Sequence, residues 1–497
     1  MSPSIAGRRA HTGLRISQSA VRLLTLSAAA VLTACGGSKS ASSITSPNVG
    51  PAASISLSVA TGTMTVGDTL RIDAVVYDKS SNVVTGDALT WTTSDSTVAV
   101  VSDSGTVTAL AAGTVTIRAR IDSIVGSAAL TVAPPATRPF GSLAAVAAGF
   151  AHSCALDSAG AAYCWGSNAD GQLGNDTIAS SPFPIVVSGS LTFSSLTAGY
   201  GHTCGLTANG TAYCWGDNAS GALGSTTSAL TSGTPVAVAG GLHFAMLSAG
   251  YAHTCGVTTA GAVYCWGADE SGELGNGAYG QSSATPVPVA GGLTFASVSA
   301  GGVFTCGITT VGAGYCWGSN AYGALGNGST DDSATPVAVA GGLTLASISA
   351  GVYHACAVTT NGAAYCWGDA ANGQLGTGLT SLNTATPMAV AGGQTFKAVT
   401  TGELSSCATT VSGAAYCWGS GSFGSLGTGA TAGSAVPQPV SGGAAFTALA
   451  AGISFHVCGL TTGGTADCWG YDDSGELGDG AAGGYSVAPQ EVVVPNN

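Results

Sequence analysis

The dipeptide Trp-Gly recurs at Trp165, Trp215, Trp266, Trp317, Trp367, Trp418 and Trp469, always 50 or 51 residues apart. A fixed period of that length constrains the fold more than any other feature. Each unit must be one supersecondary element that buries its apolar face on its neighbours. The parts come in one order: a starting glycine (Gly149, Gly199, Gly250, Gly301, Gly351, Gly402, Gly452), a cysteine strand, a turn, a Tyr-Cys-Trp-Gly strand, Gly-x-Leu-Gly, then Pro-x-x-Val. The seventh unit has an extra residue before Cys458 and Asp467 in place of the tyrosine. Four short strands per unit, seven times over, is the pattern of a seven-bladed β-propeller, spanning 143–497.

The fifteen cysteines fit this reading. Fourteen form one C-x9-C pair per unit: Cys154 with Cys164, Cys204 with Cys214, Cys255 with Cys265, Cys306 with Cys316, Cys356 with Cys366, Cys407 with Cys417 and Cys458 with Cys468. Each pair is centred on a three-residue loop whose last member is glycine, from Gly160 to Gly464, which supplies the left-handed residue of a type I turn with a G1 bulge. Counting back from the closing pair Asp157/Ala161 sets Cys154 opposite Cys164 at a non-hydrogen-bonded site, where Cα atoms approach to about 4.5 Å and a disulfide can close. Seven disulfides require an oxidising compartment. The fifteenth cysteine, Cys35, has no partner in this scheme.

The string Gly-x-x-His-x-Cys-x-Leu-(x)-Gly-x-x-Tyr-Cys-Trp-Gly-x-Asn-x-x-Gly-x-Leu-Gly resembles the regulator of chromosome condensation repeat over residues 143 to 494. The resemblance implies a seven-bladed propeller. It also brings two activities found among family members, nucleotide exchange on a GTPase and inhibition of an extracellular enzyme. The first unit starts at Leu143 with no Pro-x-x-Val strand before it, so the last such strand, Pro489 to Val494, is expected to cross into the first blade and close the ring.

Residues 52–133 alternate apolar and polar in short runs such as Ser54-Ile55-Ser56-Leu57-Ser58-Val59, separated by Gly-Asp and Asp-Ser-Gly turns. This predicts an antiparallel sandwich. Leu89-Thr90-Trp91-Thr92-Thr93-Ser94-Asp95 and the Gly-Thr-Val-Thr runs at Gly105 and Gly113 resemble the bacterial Ig-like group 2 domain, a spacer in surface proteins. The fold class is therefore all-β, an Ig-like sandwich followed by the propeller. A proline-rich linker at 134–142 joins the two.

The N-terminus reads as an export signal, 1–34. Arg8, Arg9, Arg15 and Arg22 precede the apolar stretch Leu23 to Ala34, which is of secretory length. It ends in Leu32-Thr33-Ala34-Cys35, which resembles the lipobox of bacterial lipoproteins and implies lipidation of Cys35. With Gly36 next, outer-membrane sorting is expected. Residues 35–51, rich in Ser, Gly and Pro, would then be a flexible tether.

Charge excludes one class of partner. From Leu143 onward there are seventeen acidic residues and one base, Lys397. Such a surface repels phosphate, so no nucleic acid is expected. Nine acids follow the Trp-Gly strands (Asp170, Asp217, Asp269, Glu270, Glu273, Asp369, Asp472, Asp473 and Glu476) and are the candidate binding face, for a basic protein or a cation, set against ordinary turn chemistry. Histidine stands two residues before the first cysteine in five units (His152, His202, His253, His354, His456). A ring of imidazoles suits a metal, but Phe304 and Ser405 interrupt it, which favours a structural role. Two G-x-G-x-x-G matches, at Gly275 and Gly419, fall in blade loops where no helix is expected. No catalytic motif is visible and no cofactor or metal is expected. The chain reads as a monomeric, non-enzymatic module that binds a protein or a cell-surface polymer.

Overall fold

The computed structural model describes residues 49–86, 88–380 and 383–496. Cys35, the export signal and nearly all of the tether lie outside the described residues.

The N-terminal part is built from three small sheets. The largest orders its strands Thr61–Thr65, Ile124–Ala133, Gly113–Ile121 and Thr90–Thr93. Alternation drives it: in Ile124–Ala133 every second residue from Gly126 on is buried, and Ala128, Leu130 and Val132 point into a core with Ile72, Val107, Val115 and Ile117. One pairing departs from the antiparallel expectation. Thr61–Thr65 runs parallel to Ile124–Ala133, in register Ala129 with Thr61 through Ala133 with Thr65. A long excursion through the intervening strands returns the chain in the same direction, as parallel neighbours require.

From Leu143 the chain makes seven four-stranded antiparallel sheets, each from one continuous stretch of sequence. The first comprises Leu143–Ala148, His152–Asp157, Ala162–Gly166 and Ser181–Val186, in that order from the centre outward. The innermost strands of all seven line one central channel of about 230 Å³. Two faces result. One carries the turns from first to second strand and the loops from third to fourth; the other carries the tight hairpins that follow the second strands.

Those hairpins have the expected geometry. Gly160 donates to the Asp157 carbonyl at φ +84°, Asp157 pairs with Ala161, and Cys154 faces Cys164. All seven pairs are bonded with Cα atoms 4.0–4.1 Å apart.

The ring does not close as expected. The seventh blade keeps its own outer strand, Tyr485–Glu491, paired with Ala466–Tyr471, and the first blade is already complete. Each unit carries all four of its strands, so no place is left to fill. The chain continues instead into Val493–Pro495, which pairs antiparallel with Thr137–Pro139. Two more backbone bonds, Phe140 N–H to the Val492 carbonyl and Asn496 N–H to the Ala136 carbonyl, extend the contact. Much of the proline-rich segment is therefore bound to the C-terminus.

Blade contacts replace a single core with seven. At each junction the disulfide of one blade and the leucine of its Gly-x-Leu-Gly loop pack against the tryptophan of the next blade and the large apolar residue opening its first strand. Cys204, Cys214 and Leu223 against Phe244 and Trp266 are one example. The junction of blades seven and one repeats it with Cys458, Cys468 and Leu477 against Leu143 and Trp165, reinforced by Phe140 and Val492. All seven repeat tryptophans are fully buried. Each indole N–H donates to a backbone carbonyl in the preceding blade's Gly-x-Leu-Gly loop, as Trp266 does to Ala222 at 2.8 Å, so no buried indole N–H is left unpaired. The second glycine of that loop is needed twice over. Gly275 has φ +67°, and a Cβ there would lie 2.6 Å from the Trp317 indole nitrogen.

Candidate functional site

The five histidines hold the blades together. His202 Nε2 lies 2.9 Å from Thr254 Oγ1 of the next blade, and that hydroxyl donates to the Ala222 carbonyl at 3.0 Å, the one that Trp266 also uses. A hydroxyl has one proton, so Nε2 must be the donor and Nδ1 is bare. The same relay joins His152 to Thr203, His253 to Thr305, His354 to Ser406 and His456 to Ser153. Burial forces neutrality: it pushes His152, His253 and His354 down to about 3, and His202 and His456 to about 4.

The two exceptions explain themselves. Where Phe304 replaces histidine, the next blade has Ala355 in place of the hydroxyl, and the two share an apolar cluster. Where Ser405 stands, the residue at the hydroxyl position of the next blade is Val457. Both ends of the relay are thus replaced together, which leaves no orphaned donor. Among the described residues no three His, Cys, Asp or Glu side chains converge to hold a metal.

The candidate acidic face is smaller than the sequence suggests. Asp269, Glu273, Asp369, Asp472 and Glu476 are buried, Asp170 and Asp217 are half-buried, and only Glu270 and Asp473 are exposed. Turn chemistry accounts for the buried set. In blades one, two and four an asparagine (Asn168, Asn218, Asn320) accepts from the backbone N–H of the Gly-x-Leu-Gly leucine five residues on. Asp269 and Asp472 do the same for Leu274 and Leu477. Carboxylates suit this place poorly: burial raises both, Asp472 to about 7, and burial likewise raises Glu476 to about 7. Glu273 and Glu476 fold back on their own turns, each accepting from the backbone N–H of a serine two residues earlier, Ser271 and Ser474.

What the loop face offers instead is aromatic. The residue after each starting glycine rings the channel mouth: Phe150, Tyr200, Tyr251, Gly302, Val352, Glu403 and Ile453. Phe150, Tyr200 and Tyr251 stack in series with ring centroids 4.2 Å apart at both steps. Further out, Tyr322 meets Tyr353, and Phe423 meets Phe455 and Tyr471. None of these aromatics stood out from the sequence, although comparing the position after the starting glycine across units finds the three mouth rings. Hydroxyls inside the channel are spent on structure, as where Ser248 accepts from the Ala300 N–H and Ser299 from that of Ala350.

Comparison with known proteins agrees with this architecture. The family model for the RCC1-like domain matches residues 113–458, more than half of the chain. The chain belongs to the RCC1-like domain family. A second match, to the RCC1 repeat itself, covers 446–476, and the bacterial Ig-like domain (group 2) matches 51–132. The RCC1-like match starts inside the sandwich, whereas the sheets begin the RCC1-like propeller at Leu143. Among curated relatives, the human E3 ubiquitin-protein ligase HERC2 is 32% identical over 242 residues, 47% of this chain and 5% of the ligase. The Arabidopsis thaliana ultraviolet-B receptor UVR8 is 29% identical over 193 residues, 38% of this chain and 44% of the receptor. The chain therefore spans less than half the length of either relative. Among solved structures, human WBSCR16 superposes with a TM-score of 0.61 at 22% identity, over 67% of this chain and 95% of that one. Prp20p of Saccharomyces cerevisiae, described with its binding to Gsp1p and histones, gives 0.60 at 21%, over 72% and 88%. These structural likenesses speak to the RCC1-like fold alone.

Proposed function

We propose that this chain is a non-enzymatic binding module of the cell envelope, which presents the loop face of its propeller to a protein or a surface polymer. The observation that carries the reading is the asymmetry of the two faces. Large exposed aromatic side chains (Tyr251, Tyr279, Tyr322, Tyr353, Phe423) gather on the loop face, while isolated valines such as Val311 and Val411 cap hairpins on the other. Clustered exposed aromatics mark interaction surfaces; single apolar residues do not. That yeast Prp20p is described with protein partners is in keeping with a protein ligand. Lipidation at Cys35 would hold the module at the membrane, and the Ig-like part would act as a spacer. Seven disulfides suit such an oxidising location.

The test is a binding screen of the purified protein against fractionated envelope components, repeated with two variants. Loss of binding in Tyr251→Ala/Tyr353→Ala, with retention in Val311→Ala/Val411→Ala, supports the reading. Loss only in the valine variant refutes it.

A further inference from the structure

Blade three buries an acid where other blades bury an amide, and the exchange leaves one oxygen with nothing to answer it. In blade one, Asn168 takes the Leu173 N–H with its oxygen and turns its amide nitrogen into the loop that follows. There Nδ2 donates to Asn175 Oδ1 at 3.1 Å and to the Thr177 and Ala179 carbonyls at 2.9 and 3.1 Å. Asn320 of blade four does likewise, to Asn327 Oδ1 at 3.4 Å and to the Ser329 and Asp331 carbonyls, both at 3.0 Å. The amide protons are the positive centre of a group of loop oxygens.

Asp269 keeps only half of this arrangement. Its Oδ1 accepts from the Leu274 N–H at 3.1 Å. Asn276 makes the same turn as Asn327, each Oδ1 accepting from the backbone N–H two residues on, at 2.8 and 3.0 Å. The Gly280 N–H then closes the loop onto the Asp269 carbonyl. Oδ2 takes the place of the amide nitrogen, so the loop oxygens face another oxygen. Asp269 is fully buried and Oδ2 has no hydrogen-bond partner, a costly state for a carboxylate. No protein cation relieves it. Lys397 is the only base from Leu143 onward, and the one ion pair among the described residues is Arg71 with Asp73, in the sandwich.

A bound metal ion would restore the missing positive centre. Oxygens about 3 Å apart, as around the amide nitrogens of blades one and four, fit neighbouring positions of a calcium shell with ligands at about 2.3–2.6 Å. Calcium accepts carboxylate, side-chain amide and backbone carbonyl oxygens in irregular geometry, whereas magnesium demands a tight octahedron. The loop has no histidine, cysteine or methionine to favour a transition metal. A site drawing mainly on neutral oxygens does not need three acidic side chains. We infer that the loop after the Trp-Gly strand of blade three binds a calcium ion, with Asp269 Oδ2 and Asn276 Oδ1 as side-chain ligands and loop carbonyls completing the shell. Blade seven makes the same exchange, with Asp472 on the Leu477 N–H at 3.0 Å and Asp479 at the position of Asn276. The inference is independent of the binding-module reading.

The experiment is scanning calorimetry of the full protein at pH 8, in EDTA and in 10 mM calcium chloride. In EDTA, Asp269→Asn should melt above the parent, because it removes a buried charge and restores the amide of blades one and four. Calcium should reverse part of that advantage. A single carboxylate among neutral ligands gives a dissociation constant of about 1 mM, so 10 mM calcium should raise the parent by about 2 °C more than Asp269→Asn. Any ion bound in blade seven acts on both proteins and cancels from the difference. Asn276→Ala leaves the carboxylate in place and should weaken calcium binding about tenfold, removing most of those 2 °C, which keeps the test open if Asp269→Asn fails to fold. Asp103→Asn, an exposed acid in the sandwich, should respond to calcium as the parent does. The same calcium response in the parent and Asp269→Asn, or an equal response to 10 mM magnesium, would overturn the inference. So would a parent indifferent to calcium whose deficit against Asp269→Asn fades as the pH is lowered, since the carboxyl would then hold a proton instead of a metal ion.

Discussion

Thr254→Ala, His202→Phe and the double variant test whether the relay holds the blades together. Thr254→Ala removes two hydrogen bonds, His202 Nε2–H to Oγ1 and Oγ1–H to the Ala222 carbonyl. The carbonyl keeps Trp266, but the fully buried imidazole N–H is left unpaired. Two net bonds at about 1 kcal/mol each plus part of an orphaned-donor penalty give about 3 kcal/mol. His202→Phe removes one bond and leaves the hydroxyl still donating, for about 1–2 kcal/mol. The double variant recreates the arrangement of Phe304 and Ala355, so it should cost less than the sum by about 1–2 kcal/mol. For a propeller of roughly 350 residues, an unfolding entropy of about 2.1 cal/mol/K per residue makes 1 kcal/mol worth about 1.4 °C. Differential scanning calorimetry at pH 7.5 should therefore place the Thr254→Ala midpoint about 4 °C below the parent. A double variant equal to the sum of the singles would refute the relay. There is a pH signature as well. Folded His202 sits near 4 and the unfolded side chain near 6.5, so its stabilisation is complete above about 6.5 and is lost as pH falls toward 4. The penalty of His202→Phe should thus shrink below pH 6.5, by at most about 1.4 kcal/mol per pH unit.

Other expectations concern single features. Asp472→Asn installs the residue found at this place in three other blades. It should raise the melting temperature at pH 8 by a few degrees, with the gain fading as pH falls from about 7 toward 4, because the folded carboxyl, held at about 7, keeps a proton that the unfolded one gives up above 3.8. Alkylation of the denatured, unreduced protein should leave all fourteen repeat cysteines unmarked and mark all of them after reduction. Removing one bridge by Cys306→Ala/Cys316→Ala should cost at most about 3 kcal/mol in chemical denaturation, since the closed loop is short. Truncation after Glu491 removes the strand that binds Thr137–Pro139 and the buried Val492, and should lower the melting temperature by about 3 °C without opening the ring. Loss of all cooperative melting would mean that this strand is the closure after all.

The parts legible in the sequence were those set by local backbone chemistry. A glycine three residues into each hairpin and the C-x9-C spacing fix the register within one blade, so the cysteine pairs could be placed by counting. What lies between blades was harder to see. The relay becomes readable only when each unit is compared with the following one, since Phe304 must be matched with Ala355 and Ser405 with Val457. The acids misled because charge suggests surface, while Asp269 and Asp472 occupy a turn position that other blades give to asparagine. Aligning the units would have exposed that equivalence. Ring closure is hard to read because no Pro-x-x-Val strand precedes Leu143, although Ser181–Val186 already supplies the fourth strand of the first blade.

The relay also has a bearing on how such rings can change. Every blade presents a leading edge, hydroxyl or apolar, and a trailing edge, imidazole or not, and only matching edges make a satisfied seam. Blade four ends in Phe304 and blade five begins with Ala355, so a duplicated copy of blade two inserted between them would set a threonine against Phe304 and a histidine against Ala355. The imidazole N–H would then be buried without an acceptor. The order of near-identical units is therefore written into their seams, and blade duplications would be tolerated at some junctions and rejected at others.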